Sequence, residues 1–158
     1  MEQGSSKKTP QVTVPHETLV KFGYPDTCVK DYSHWAVCLR PKQVTLGSLV
    51  MIAKSDDTAF SKLSAPAFEE MQSVISDIEE ALGQLTGYDK INYLTLMMVD
   101  PQVHSHVIPR YERSREFAGV MFEDTGWPGP PDIKHSAACP TEVFNKLLTE
   151  VKSLWKSG

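Results

Sequence analysis

The chain has little of what would assign it to a specialised class. No apolar run among its 158 residues approaches the roughly 20 needed to span a bilayer, which argues against a membrane segment. Its three cysteines, Cys28, Cys38 and Cys139, are odd in number and far apart, so they suggest no disulfide framework, and no C-x-x-C pair opens a zinc knuckle. Each reads as a small buried apolar side chain in a reducing compartment. There is no excess of positive charge either. With 16 Lys and Arg against 20 Asp and Glu, the formal net charge is −4, and no global field draws the chain to a nucleic acid polymer or an anionic membrane. An anionic ligand has to be held by local groups. The first residues lack the basic-then-apolar order of a secretory leader, so a cytoplasmic location is expected.

What is present fits one compact domain. Hydrophobic residues make up 41% and charged residues 23%, values typical of a globular chain and far from those of a disordered one. Residues 1–15 are mostly polar and without periodicity, and read as a flexible arm; residues 16–158 read as a single domain. Thr27 to Tyr32, His34 to Leu39 and Gly47 to Lys54 read as strands of an antiparallel meander, the third apolar enough to be buried on both faces. From Ser64 to Thr86 the period changes. Ala67, Met71, Val74, Ile78, Ala81 and Leu85 are spaced by threes and fours, which predicts an amphipathic helix capped by Ser64 and closed at Gly87. Lys90 to Val99 and Val103 to Tyr111 predict a hairpin around Asp100-Pro101. Phe117 to Cys139 reads as a long loop too apolar to stand in water, and Thr141 to about Lys156 as a final helix. Strands, helix, strands, loop, helix is an α+β order, with a single antiparallel sheet of about five strands, one long helix between strands and a C-terminal helix.

One segment carries chemistry: Gln102-Val103-His104-Ser105-His106-Val107-Ile108-Pro109-Arg110. Side chains alternate along a strand, so Gln102, His104 and His106 share a face, and the two imidazoles lie about 6.6 Å apart along it. That spacing suits one phosphate-sized ligand. Near neutral pH one ring can be a neutral nucleophile while its neighbour is a cationic donor. A backbone carbonyl can hold the proton on the far nitrogen of the nucleophile, leaving the near one to attack.

At these residues the chain resembles the histidine-triad family, in the variant form Q-x-H-x-H, and Val107-Ile108-Pro109-Arg110 looks most like its dinucleoside-polyphosphate hydrolase branch. The order of elements from Val29 to Tyr111 is similar to that family too. The resemblance implies that His104 attacks an α-phosphorus to give a covalent nucleotidyl-histidine, later resolved by water or another acceptor. It implies that His106 binds phosphate oxygens and helps the leaving group. Gln102 stands where the family has its first histidine and can orient but not carry a proton. Arg40 falls where the family holds ribose, and as a pure donor it suits a second phosphate or a sulfate. Arg110, just after the motif, joins them as a candidate substrate-binding residue. The substrate implied is a dinucleoside polyphosphate, a nucleoside phosphoramidate or adenylyl sulfate, with no cofactor and no metal.

A non-catalytic nucleotide-binding module is the alternative, favoured by Gln102 and by the short Asp100-Pro101 connection. A metal site on the His-x-His pair is another, for which no third ligand is evident nearby. A homodimer is expected, because the resembling family pairs sheet to sheet and because Phe117 to Trp127 offers spare apolar surface. His34 beside Trp35 reads as packed or half exposed, and His16 and His135 as loop residues without visible partners.

Overall fold

The computed structural model describes residues 14–156, so most of the N-terminal arm lies outside the described residues. The chain begins with a short helix α1 (Glu17–Lys21), followed by β1 (Cys28–Asp31), β2 (Trp35–Leu39) and β3 (Leu49–Ala53). A 3-10 turn then leads into α2 (Ala65–Thr86), β4 (Lys90–Leu94) and β5 (His104–Arg110). A small hairpin, β6 (Arg115–Phe117) and β7 (Val120–Phe122), precedes α3 (Thr141–Leu154). Beside the two-stranded sheet, five strands form one antiparallel sheet in the order β1-β2-β3-β5-β4. The α+β architecture anticipated from the sequence is the one found.

Helix α2 begins where its chemistry says it should. The Ser64 side chain accepts from the Ala67 N–H, Pro66 sits in the first turn where no hydrogen bond is lost, and Gly87 closes the helix at φ 59°. Its buried stripe of Ala67, Val74, Ile78, Ala81 and Leu82 packs on one sheet face together with Leu147 and Val151 of α3. Val37, Leu39, Leu49, Met51 and Val107 supply the sheet side of that core. The opposite face carries Ala36, Cys38, Val50 and Ile52, and it is covered in part by Leu19 and Phe22 from α1.

The sheet order decides what the histidine strand can be. Chain leaving α2 enters the edge strand β4 first, and the hairpin then slots β5 between β3 and β4. Every strand residue of β5 except Ser105 is buried. Pro109 is tolerated inside this central strand because β3 pairs only with positions 104 to 107. The missing N–H points past the end of β3, and the Thr45 hydroxyl donates to the Pro109 carbonyl there at 2.6 Å.

The expected long loop contains structure that its sequence did not announce. Phe117 pairs with Val120 across a two-residue turn in which both Ala118 (φ 50°) and Gly119 (φ 84°) are left-handed. That is the turn whose twist suits a tight hairpin, but alanine is a poor residue for its first position. The hairpin folds back onto the domain, with Phe122 only 1% exposed and Phe117 and Val120 against the main core.

Alanine in the left-handed region costs about 1 kcal/mol, which asparagine largely avoids. Ala118→Asn is therefore expected to raise the urea midpoint of unfolding without changing the slope. A midpoint equal to or below that of the unaltered chain would show that the turn carries no such strain.

Candidate functional site

His104 and His106 are brought together as their spacing requires. Their ring centroids are 5.2 Å apart and the planes meet at 82°, edge to face. Both are buried, at 2% and 6% exposure, which is unusual for histidine and calls for partners.

His104 has one. Its Nδ1 lies 2.7 Å from the carbonyl oxygen of Gln102, two residues earlier in the chain. A carbonyl can only accept, so Nδ1 carries the proton and Nε2 keeps a lone pair. No hydrogen bond engages that Nε2 among the described residues, nor is it one of the buried polar atoms sealed from solvent without a partner. The ring is thus held in the tautomer of a nitrogen nucleophile.

His106 is in the complementary state. Arg40 Nε donates to its Nδ1 at 3.3 Å, and a guanidinium never accepts, so the proton of the neutral ring is on Nε2. Burial, then the charge of Arg40 and then His104, push its pKa down to about 4. The cationic donor anticipated beside the nucleophile is therefore a neutral one in the free protein, and Arg40 supplies the fixed charge. Arg40 is itself lowered by burial but stays protonated at any ordinary pH. Its Nη1 donates to the Lys42 carbonyl at 2.6 Å, while Nη2 is without a hydrogen bond among the described residues.

Gln102 is placed beside the pair, but both ends of its amide are occupied. Oε1 accepts from the Thr18 hydroxyl at 2.6 Å, and Nε2 donates to Asp56 Oδ1 at 3.2 Å. Its role is to tie α1 and the segment after β3 to the strand whose carbonyl fixes His104. Arg110 is not brought to the site. It lies four residues beyond His106, roughly 13 Å along the strand. There its Nε donates to Asp124 Oδ2 at 2.7 Å, its Nη2 to Oδ1 at 3.1 Å and its Nη1 to Asn92 at 2.7 Å. Burial alone would raise the Asp124 carboxyl, but the Arg110 pair and the N–H groups of Tyr111 and Gly126 hold it below its usual value. This forked, buried ion pair fastens the segment after β7 to the end of β5.

Several site residues had no readable signal. Phe22 packs on both imidazoles, with centroids 5.8 Å from His104 and 5.5 Å from His106. It is delivered by α1, whose five residues are too short to show a period. His16, expected to lack partners, caps that helix by accepting from the Leu19 N–H at 3.2 Å, and its Nε2 reaches the Ala53 carbonyl at 2.8 Å. Lys21 pairs with Asp100 at 3.2 Å near Arg40, which feels the Asp100 charge. Among the described residues no three His, Cys, Asp or Glu side chains are grouped as a metal ion would need.

No family model matches the sequence, and no curated protein is a match for it. Solved structures are similar in fold. A histidine triad protein from Bradyrhizobium japonicum superposes with a TM-score of 0.69 at 18% identity, over 89% of this chain and 96% of that one. A histidine triad protein from Marinobacter aquaeolei VT8 gives 0.69 at 20% identity, over 89% and 93%. A hypothetical histidine triad nucleotide-binding protein from Sulfolobus tokodaii gives 0.64 at 16% identity, over 87% and 88%. The chain has the histidine-triad fold.

The state of His106 is open to direct measurement. A histidine whose folded pKa lies below its unfolded value of about 6.5 destabilises the fold as pH falls from there to about 4, because only the unfolded chain then takes up the proton. Removing the guanidinium in Arg40→Ala lifts one of the causes. The imidazole resonance of His106 is expected to titrate at higher pH in that variant than in the unaltered protein. An unchanged midpoint would show that Arg40 does not act on the ring.

Proposed function

We propose that this protein is a nucleotide hydrolase or nucleotidyl transferase that works through a covalent nucleotidyl group on His104. The observation that carries the reading is the 2.7 Å contact between His104 Nδ1 and the Gln102 carbonyl, which leaves Nε2 as the basic atom beside a second imidazole. In the first step the Nε2 lone pair attacks an α-phosphorus, the P–N bond forms, and the bond to the leaving phosphate, amine or sulfate breaks. In the second, water or another acceptor displaces His104 and regenerates the same tautomer. Dividing one displacement into two avoids direct attack by a poorly placed water.

Charge has to be met while this happens. His106, with its proton on Nε2, donates to a phosphate oxygen, and the unengaged Nη2 of Arg40 meets a second oxygen or the neighbouring phosphate. Gln102 contributes at one remove, by holding its carbonyl under His104. The site and the fold together support as substrate a dinucleoside polyphosphate, a nucleoside phosphoramidate or adenylyl sulfate. Lys21 and Arg40 are the local cations a chain of net charge −4 needs for such an anion.

A second reading is a nucleotide-binding module without turnover. It is favoured by the burial of both rings, at 2% and 6% exposure, which leaves little of either imidazole for a substrate to reach. The two readings share the pocket and differ in the bond to His104.

We also propose that the chain pairs with a second copy of itself, as a soluble cytoplasmic protein. Strand β4 is a sheet edge, and Met98 and Val99, just beyond it, are each 84% exposed.

Single-turnover mixing of excess protein with a nucleotide radiolabelled at the α-phosphorus is expected to leave acid-labile label on the protein, and His104→Ala to abolish it. Nucleotide bound but never covalently attached would favour the binding module. Sedimentation at micromolar concentration is expected to give twice the chain mass of 17.7 kDa; a single-chain mass would remove the dimer.

A further inference from the structure

Cysteines ten positions apart offered no common role in the sequence, and the sheet gives two of them one. Cys28 on β1 and Cys38 on β2 are directly opposed. The Leu39 N–H bonds the Thr27 carbonyl at 2.9 Å beside the pair, while the Cys28 N–H turns away to the Pro25 carbonyl at 3.0 Å. The pair therefore occupies a non-hydrogen-bonded position, where opposed Cα atoms stand about 4.5 Å apart and side chains are closest. A disulfide spans Cα separations of about 4.4–6.8 Å, so the two sulfurs can join without moving either strand.

Accessibility divides the pair into an outer and an inner thiol. Cys38 is 0% exposed, packed among Val50, Ile52 and Leu19, whereas Cys28 lies half-buried at the edge of that cluster. Each thiol is the largest influence on the other's acidity. A hydrogen bond from Cys28, with another from Thr27, favours the Cys38 thiolate and holds its pKa below the usual thiol value, while the same contact and burial raise that of Cys28. Cys139 lies apart, in the chain just before α3.

We propose that Cys28 and Cys38 are a redox-active dithiol that closes reversibly into a cross-strand disulfide by exchange with a low-molecular-weight disulfide such as glutathione disulfide. Accessibility, not acidity, selects the first nucleophile: Cys28, the outer thiol, gives up its proton and attacks one sulfur of the small disulfide, forming a mixed disulfide and releasing one small thiol that takes that proton. The Cys38 thiolate then attacks the Cys28 sulfur, the bond between the two protein sulfurs forms, and the second small thiol leaves. Two electrons pass from the protein to the small disulfide, and the two protein protons end on the released thiols.

The place of the pair gives the bridge a neighbour worth altering. Cys28, Cys38, Val50 and His106 stand opposite one another on successive strands of one face. Arg40, which grips His106, follows Cys38 by two residues on the side where β2 ends. The proposal does not depend on the chemistry assigned to His104.

The test uses the reduced full chain exposed to excess glutathione disulfide, then alkylated and weighed. The expected product is two hydrogens lighter than the reduced chain before alkylation, carries the Cys28–Cys38 link on peptide mapping, leaves Cys139 free to be alkylated, and reverts with dithiothreitol. Cys38→Ala is expected to stop at a stable mixed disulfide on Cys28, and Cys28→Ala to leave Cys38 unmodified. Recovery of the unaltered chain with Cys28 and Cys38 both alkylated, or with Cys28 held as an unresolved mixed disulfide, overturns the proposal.

Discussion

The candidate chemistry depends on one short hydrogen bond at the start of β5, from the His104 ring to the carbonyl of Gln102 at 2.7 Å. Such a bond chooses between two tautomers of nearly equal energy, and only one of them points a lone pair toward a ligand. It holds because the strand cannot slip. Val103 and Val107 are buried on the helix-covered face, 1% and 0% exposed. A shift of one residue would send both into the opposite side and bring His104 and His106 against α2. The register of β5 between β3 and β4 is therefore a statement about protonation as much as about packing.

Helix α1 depends on that register in turn. With five residues it has no stability of its own, since nucleating a turn costs more than so few hydrogen bonds return. Side chains hold it down instead: His16 to the end of β3, Thr18 to Gln102, Lys21 to Asp100 and Tyr24 to Asp31. Three of the four anchors end on β3, β5 or the chain between β4 and β5. The Phe22 that α1 delivers covers both imidazoles, and the resulting dry surroundings are the first cause of the low pKa of His106. A local helix assembled by long-range contacts thus sets the acid–base state of the site.

What could be read from the sequence followed from patterns local in the chain. The stripe and caps of α2, the buried run of β3 and the shared face of His104 and His106 all rest on spacing within a few residues. The strand expected to run to Val99 instead ends at Leu94, and residues 95–103, not a tight turn at Asp100-Pro101, lead into β5. What could not be read is joined across the chain. Arg110 looked like a ligand because of its place after the motif, and only the return of Asp124 from the β7 segment makes it a scaffold cation. The hairpin before Asp124 escaped notice because Ala118 is not a residue its turn type favours. Cys28 and Cys38 became neighbours through strand pairing, and the charge on His106 was misjudged because Arg40 meets it from 66 positions away.

Placing the positive charge on Arg40 and leaving His106 neutral has a consequence for binding. A guanidinium keeps its charge at every ordinary pH, so attraction for an anion does not vanish as His106 loses its proton. When an anion arrives beside Arg40, it opposes the guanidinium field that helps hold His106 near pKa 4, and the ring's affinity for a proton rises. Anion binding and proton uptake are then linked: an anion that favours the protonated ring binds more tightly as pH falls. An imidazole that is neutral beside Arg40 can in this way become a cationic donor when an anion is there to receive the hydrogen bond. The division of labour between two imidazoles, which their spacing alone suggested as a fixed property, therefore depends on the charge of Arg40 and on what stands beside it.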